Sequence, residues 1–250
     1  MKLRIIQISD LHLTSDKHPI WGVDTYKQFQ KALVKIESIP HVDCIVVSGD
    51  IADDGKILTY QYADNMLNML SLPVLWCPGN HDNINNFNEF SRKSKSIIGM
   101  PLFINGMRLL PINTVAPDEN NPSLNRSRGV LFEDDFRYLN KNILCQNYPT
   151  ILVMHHPPYD PGGWMANKIL DNRDFFNETI KNYDNLVLIL CGHIHYYMEQ
   201  EVSGKKIISA PSVGFAFNKD LPKYEIDQGK EGFLIIDIEN NNVKTEFVKI

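Results

Sequence analysis

Seven side chains of this sequence have the types and positions of a metal-binding set. They follow five apolar runs: Asp10 and His12 after residues 3–9, Asp50 after 43–49, Asn80 after 73–77, His155 after 150–154, and His193 and His195 after 186–191. Carboxylate, amide and imidazole donors together suit borderline divalent ions such as Mn, Fe, Zn, Co or Ni. Because a tetrahedral zinc takes four ligands, seven divide between two ions, with one carboxylate bridging both. Two-metal centres of this kind clamp the attacking and leaving oxygens of an in-line displacement at phosphorus.

The spacing within the set fits this interpretation. Asp10 and His12, like His193 and His195, are two residues apart, and such residues on an extended segment project from the same side. Three glycines each precede a member of the set, where we expect a sharp turn and a close approach to the backbone: Gly49, Gly79 and Gly192. Taken singly, each fragment is also typical of an ordinary turn. Five of them after five buried strands predict a metal centre, because α/β sheets bind ligands at the carboxyl ends of their strands.

The five apolar runs are continuous rather than alternating, which is typical of strands covered on both faces of a parallel sheet. Helical patterns over 25–38 and 57–70 separate the first three runs, so the first third is predicted to be a right-handed parallel unit. Thr25 followed by Gln28 predicts a capping box at the first helix. Further helices are predicted over 84–97, 133–144 and 172–183. Hairpins are predicted over 102–114, about Ser203-Gly204, and about residues 240–242.

The composition is that of an ordinary globular protein, and we expect one domain over residues 1–250. The net charge of −5 argues against a nucleic-acid partner but permits a small phosphorylated substrate met by bound cations. The scattered cysteines, without a Cys-x-x-Cys pair, indicate a reducing compartment. A leader-like or membrane-spanning apolar run is not evident, so a cytoplasmic location with no membrane partner is expected. A homodimer formed through an edge of the C-terminal strands stays open.

The ordered motifs Asp-x-His, Gly-Asp, Gly-Asn-His-Asp, His and Gly-His-x-His resemble those of the calcineurin-like metallophosphoesterase superfamily over residues 10–195. The surrounding "ISDLHL", "VVSGDIADDG", "LPVLWCPGNHD", "MHHPP" and "LCGHIH" look like the class III cyclic-nucleotide phosphodiesterase branch. This resemblance implies an α/β fold: a four-layer αββα sandwich of two mixed β-sheets flanked by helices. It also implies a dinuclear site at the carboxyl ends of the strands.

The resemblance further implies two metal sites that share Asp50. One would be held by Asp10, His12, Asp50 and His195, and the other by Asp50, Asn80, His155 and His193. His155 is chosen over His156 because it directly continues the strand. His81 would not bind metal; it would face the phosphate and give a proton to the leaving oxygen.

The implied reaction is hydrolysis of a small phosphodiester by metal-bound hydroxide, with 3′,5′-cyclic AMP as the first hypothesis. Alternatives are a glycerophosphodiesterase, a broad-specificity phosphodiesterase or phosphatase, a DNA nuclease and a non-catalytic scaffold. Protein phosphatases of the superfamily have an arginine where this chain has Pro78, which argues against a phosphoprotein substrate. Five loop aromatics are expected either to stack on a nucleobase or to pack their loops: Trp21, Tyr159, Trp164, Phe215 and Phe217. Asp53 and Asp54 are predicted to have only structural roles in their loop.

Overall fold

The computed structural model describes residues 2–121, 124–240 and 242–250. Its strands are β1 (Lys2–Ile8), β2 (Cys44–Ser48), β3 (Val74–Cys77), β4 (Ile97–Ile98), β5 (Leu102–Ile104), β6 (Met107–Pro111), β7 (Thr150–Val153), β8 (Leu186–Cys191), β9 (Met198–Val202), β10 (Lys205–Ser209), β11 (Gly232–Glu239) and β12 (Asn242–Lys249). Its α-helices are α1 (Thr25–Glu37), α2 (Ile57–Asn68), α3 (Ile84–Ser91), α4 (Glu133–Leu139) and α5 (Arg173–Ile180). A π-helical turn, Asn140–Leu144, continues α4, and a short 3₁₀ turn spans Gly163–Met165.

The described strands form two six-stranded sheets. The first has the order β12-β11-β1-β2-β3-β4. Strands β1, β2 and β3 are parallel, as predicted, β4 adds a fourth parallel strand, and β11 and β12 are antiparallel additions. The second has the order β5-β6-β7-β8-β10-β9, with four parallel strands between two antiparallel edge strands. Both sheets are therefore mixed.

Helices cover the outer face of each sheet, and the inner faces pack on each other. Ile5 of β1 packs between the sheets, against residues such as Leu109 and Ile151 of the second sheet. Its neighbour Ile6 points the other way and packs beneath α1 and α2, with Phe29 and Tyr60. Helices α4 and α5 cover the second sheet in the same manner. Because both faces of the strands are buried, the apolar runs are continuous, and the predicted four-layer αββα sandwich is confirmed.

Two local predictions at helices are wrong. The first helix is capped by the side chain of Asp24, which accepts from the backbone N–H of Lys27, so Thr25 does not form the predicted capping box. Instead, the buried Thr25 hydroxyl donates to the carbonyl of His12. The helix predicted over 84–97 ends at Ser91, since no apolar residue continues its buried face after Phe90. The chain then turns, and Ile97–Ile98 pairs with β3 as β4.

The remaining predicted elements are found. The hairpins turn at Asn105-Gly106 and at Ser203-Gly204, with positive φ at all four residues. Strands β11 and β12 form the third hairpin, in whose turn Asn241 lies outside the described residues. Among the described residues, no helix combines the length and apolar character needed to cross a bilayer.

Candidate metal centre

The seven predicted ligands meet where the carboxyl ends of strands from both sheets come together. Strands β1, β2 and β3 belong to the first sheet, whereas β7 and β8 belong to the second. The set therefore lies at a junction of two sheet edges. A single edge, which the pattern of parallel strands would predict, does not hold it. Every member except Asn80 is buried, with no more than 4% of its surface exposed.

One group of donors surrounds Asp10 and Asp50. Nε2 of His195 lies 3.4 Å from Oδ1 of Asp10, and Nε2 of His12 lies 3.7 Å from Oδ2 of Asp50. The same two imidazole nitrogens are 3.2 Å apart. One donor atom from each of these four residues falls within 4.8 Å of the others.

A second group of donors lies on the other side of Asp50. Nε2 of His155 is 3.3 Å from Oδ2 of Asp50 and 3.2 Å from Oδ1 of Asn80. Nδ1 of His193 is 3.2 Å from the same His155 nitrogen. A donor atom of His156 also lies within 4.8 Å of donors of His155 and His193, although Nδ1 of His156 bonds the Thr114 hydroxyl at 2.8 Å. Asp50 is thus the residue that touches both groups.

Hydrogen bonds on the outer side of the rings fix which imidazole nitrogens carry protons. Nδ1 of His195 donates to the carbonyl of Phe215 and Nδ1 of His155 to the carbonyl of Ser48, because a carbonyl only accepts. Nδ1 of His12 donates to the carboxylate of Asp53 in the same way. Their Nε2 atoms then face carboxylates and one another: Nε2 of His195 faces Asp10, and those of His12 and His155 face Asp50. Electron-pair donors that converge in this way need a cation or a proton between them, so this set of side chains fits metal ions.

Charge and burial act on these groups in opposite directions. Burial depresses the pKa of His195 well below its ordinary value, and the charge of His12 depresses it further, so His195 stays neutral. Burial also lowers the pKa of His155, but the carboxylate of Asp50 outweighs this and raises it to about 9. Burial by itself would raise the pKa of Asp50, yet the histidines His155 and His81 hold it well below its usual range. Asp50 is therefore ionised and ready to bind cations.

Five of the seven residues have left-handed backbone conformations, with φ of 53° at Asp10, 46° at His12, 51° at Asp50, 75° at His193 and 64° at His195. Residues other than glycine rarely adopt such φ values, which cost roughly 1–2 kcal/mol each. The two histidine-bearing segments are therefore not extended, and the predicted reason for the same-side projection of their side chains is wrong. The left-handed residues turn the chain after each strand and direct the side chains into one place. Strain of this kind concentrates at functional sites.

Glycine is required before the ligands for different reasons at different positions. Gly49 has φ of 105°, so it meets the predicted need for an unusual turn. Gly79 has an ordinary φ, but a Cβ there would overlap the carboxylate of Asp50. This position requires glycine because Asp50 occupies the space.

Asp53 is the site residue whose function the sequence does not reveal. Its Oδ1 lies 2.9 Å from Nδ1 of His12 and 2.9 Å from Nδ1 of His81. Burial would raise the pKa of Asp53, but the hydrogen bonds from the two imidazoles lower it strongly. The prediction that Asp53 serves only its loop is wrong, because it orients one residue of the ligand set and the predicted proton donor together. Asp53 is the first aspartate of an Asp-Asp pair in a loop, and nothing in the sequence indicates this role.

Asp82 holds the loops that carry Asp50 and Asn80. Its buried carboxylate accepts from the backbone N–H groups of Ile51, Ala52 and Gly79. The carbonyls of Asn80 and Asp82 in turn accept from the side chain of Asn125. These bonds fix the two loops to each other at the centre of the site.

A cleft of about 160 Å³ opens above the two groups of donors. His81 lies at its edge with 42% of its side chain exposed. Of the five aromatic residues expected near the site, four line the cleft: Trp21, Trp164, Phe215 and Phe217. Tyr159 does not, because it is buried elsewhere and its hydroxyl bonds that of Ser209.

Comparisons with known proteins agree with this geometry. The family described as Calcineurin-like phosphoesterase matches residues 3–197. A relative named 3′,5′-cyclic-nucleotide phosphodiesterase, from a Nostoc strain, is 27% identical over 248 residues, covering 95% of this chain and 88% of the relative. The relative named 3′,5′-cyclic adenosine monophosphate phosphodiesterase CpdA, from Escherichia coli K12, is 25% identical over 253 residues, covering 98% and 88%.

A solved structure shares the fold. The crystal structure of a dimetal phosphatase from Danio rerio covers 98% of this chain and 95% of its own, with a TM-score of 0.67 and 12% identity. At that identity the likeness concerns the fold alone. The match over residues 3–197, together with the His and Asp groups at the sheet junction, shows that the chain belongs to the calcineurin-like phosphoesterase family and is a metal-dependent phosphoric ester hydrolase.

Proposed function

We propose that the chain hydrolyses a 3′,5′-cyclic nucleotide, with cyclic AMP as the first substrate, to a nucleoside monophosphate. One metal ion would be held by Asp10, His12, Asp50 and His195, and a second by Asp50, Asn80, His155 and His193. The observation that carries the proposal is the convergence of carboxylate and imidazole groups from both sheets on either side of Asp50. Two ions bound there supply a water of lowered pKa and neutralise the charge of the phosphate.

His81 gives a proton to the leaving oxygen. Its Nδ1 is bonded to Asp53, which leaves Nε2 for the substrate. Burial lowers the pKa of His81, but the carboxylates of Asp50 and Asp53 outweigh burial and raise it to about 9. The metal-free chain therefore favours the protonated form of His81, which is the form in which a general acid acts.

The substrate class is supported by the names of the relatives and by the lining of the cleft. Relatives that align over most of this chain are named as cyclic-nucleotide phosphodiesterases. Exposed aromatic surface beside the donor groups suits a planar base next to a phosphate.

One observation favours a second candidate, a glycerophosphodiesterase or a broad-specificity phosphodiesterase. A larger cleft of about 880 Å³ adjoins the first at Asn80 and His81. It is lined by polar side chains that include Asn83, Asn113 and Asn125. A linear diester with two separate alcohols would place the second alcohol there.

A substrate panel separates these candidates. The manganese-loaded protein is assayed with cyclic AMP, glycerophosphocholine, bis-p-nitrophenyl phosphate and single-stranded DNA. We expect cyclic AMP to have the highest kcat/KM and DNA to resist hydrolysis. Cleavage of glycerophosphocholine without cleavage of cyclic AMP would contradict the proposed substrate and favour the second candidate.

A further inference from the structure

Trp21 occupies a tight turn at the mouth of the cleft. Ile20 and Val23 exchange both backbone hydrogen bonds, at 3.0 and 2.9 Å, so Trp21 and Gly22 form a two-residue loop. Their φ values are 49° and 79°. Positive φ at both central residues defines a type I′ turn, in which Asn-Gly is the favoured pair. A bulky L residue at the first position is a true outlier, because its Cβ crowds the backbone.

The indole of Trp21 rests on other rings and leaves half of its surface exposed. Its ring centroid lies 5.1 Å from that of Phe215, 5.6 Å from Phe217 and 4.6 Å from Tyr224. Phe217 in turn stacks on His195 at 4.4 Å. Trp21 is therefore one aromatic layer away from the donor groups, with 51% of the residue exposed.

The other aromatic residues of the cleft have little ring surface to offer a ligand. Phe215 and Phe217 are 2% and 6% exposed, and both pack on His195. The ammonium of Lys168 lies 3.1 Å from the centroid of Trp164 and covers that ring. Trp21 is the cleft aromatic with the greatest exposure among the described residues.

We propose that Trp21 stacks on the nucleobase of the substrate and thereby makes the site specific for nucleotides. This inference rests on the proposed function, since it assigns the base a place beside the reacting phosphate. An exposed indole kept at a strained position that favours asparagine points to a binding role, because folding alone would not select it. Base stacking on an aromatic side chain suits any base and contributes substantially to binding.

The test replaces Trp21 with the residue that the turn prefers. Trp21→Asn removes the ring and puts at this position a residue that the turn accepts, so we expect the variant to keep its fold, which thermal unfolding checks. Activity is compared between cyclic AMP and methyl riboside 3′,5′-cyclic phosphate, which has the same cyclic ester without a base. The ratio of the two kcat/KM values should fall roughly tenfold to a hundredfold. Trp21→Phe, which keeps a smaller ring, should lose less of the ratio.

Each outcome decides the inference. An unchanged ratio in Trp21→Asn would overturn it. If the parent does not hydrolyse cyclic AMP, the proposed substrate fails separately. Stacking is then tested by calorimetric binding of 5′-AMP and ribose 5-phosphate to the manganese-loaded proteins. A weaker Kd for 5′-AMP alone in Trp21→Asn would support the stacking role, and parallel changes for both ligands would reject it.

Discussion

Oδ2 of Asp50 lies 3.3 Å from Nε2 of His155, across the junction between the two sheets. Asp50 follows β2 of the first sheet, and His155 follows β7 of the second. The same carboxylate oxygen lies 3.7 Å from Nε2 of His12. One carboxylate therefore connects the two groups of donors, and its loss should affect both proposed metal sites.

Replacing Asp50 tests the bridging role. We expect Asp50→Ala to retain no manganese at either site, because each site loses the charged ligand that the two share. Elemental analysis after gel filtration measures the ions bound per chain. Asp16→Ala, which removes an exposed carboxylate outside the cleft, is the matched control and should keep both ions. Two bound ions in Asp50→Ala would refute the bridging role.

Replacing His81 tests the proton donor. His81→Ala should keep its metal, because no proposed ligand is removed, and should lose roughly 10²–10⁴-fold in kcat for alkyl leaving groups. The loss should be smallest for p-nitrophenol, whose oxygen leaves without a proton. Steady-state kinetics over a series of leaving groups measures this dependence. An equal loss across the series would argue against proton donation.

Replacing Asp53 tests its contact with two imidazoles. Asp53→Ala removes the acceptor for Nδ1 of both His12 and His81, so metal affinity and activity should each fall roughly 10–100-fold. Asp54→Ala is the control from the same loop, since Asp54 bonds Ser15 and Thr59 and neither imidazole. Metal titrations of both variants give the comparison. Equal effects of the two changes would show that Asp53 acts only through its loop.

Stability of the metal-free chain should fall as the pH rises. Asp50 raises the pKa of His155 above its ordinary value of 6.5 to about 9, against the effect of burial. A histidine whose pKa is higher in the folded state than in the unfolded state stabilises the fold fully at pH values below the unfolded-state pKa. This stabilisation is lost as the pH rises through about 9. We expect the chelator-treated protein to unfold at a lower temperature at pH 9 than at pH 6.5.

Manganese should oppose this loss of stability at high pH. Bound metal takes the place of the proton on His155, and protons compete less with the metal as the pH rises. The increase in Tm on adding manganese should therefore be larger at pH 9 than at pH 6.5. Thermal unfolding in matched buffers, with chelator and with manganese, measures both effects. A metal-free Tm that rises over this interval would contradict the prediction.

Two glycine substitutions separate steric from conformational effects. Gly79→Ala places a methyl group where the Asp50 carboxylate lies, so we expect loss of metal and of activity. Gly204 has φ of 72° with nothing within 4 Å of a new Cβ, so Gly204→Ala should cost only about 1 kcal/mol of stability. Its metal content and kcat should stay at parental levels. Full metal occupancy in Gly79→Ala would mean that the loop of Asp50 moves freely.

The order of strands and helices was determined by the sequence to a large extent. Continuous apolar runs predicted the buried strands β1, β2, β3, β7 and β8, because both faces of each strand are covered. The helix boundaries were less predictable. After Phe90 the buried face of α3 ends, and Ser94 and Ser96 donate to Asp64 through contacts that the sequence does not specify.

The sequence by itself also determined which polar residues end the strands, because polar residues that follow apolar runs can be recognised without a structure. Only the tertiary structure decided that these ends come from two sheets, and that left-handed turns at residues such as Asp10 and His193 bring them together. It also decided that Asp53, 41 positions from His12, bonds His12 and His81, and that Trp21 stands strained at the mouth of the cleft. Strand periodicity is a local property of the chain, whereas the contacts of a loop depend on how distant segments pack around it.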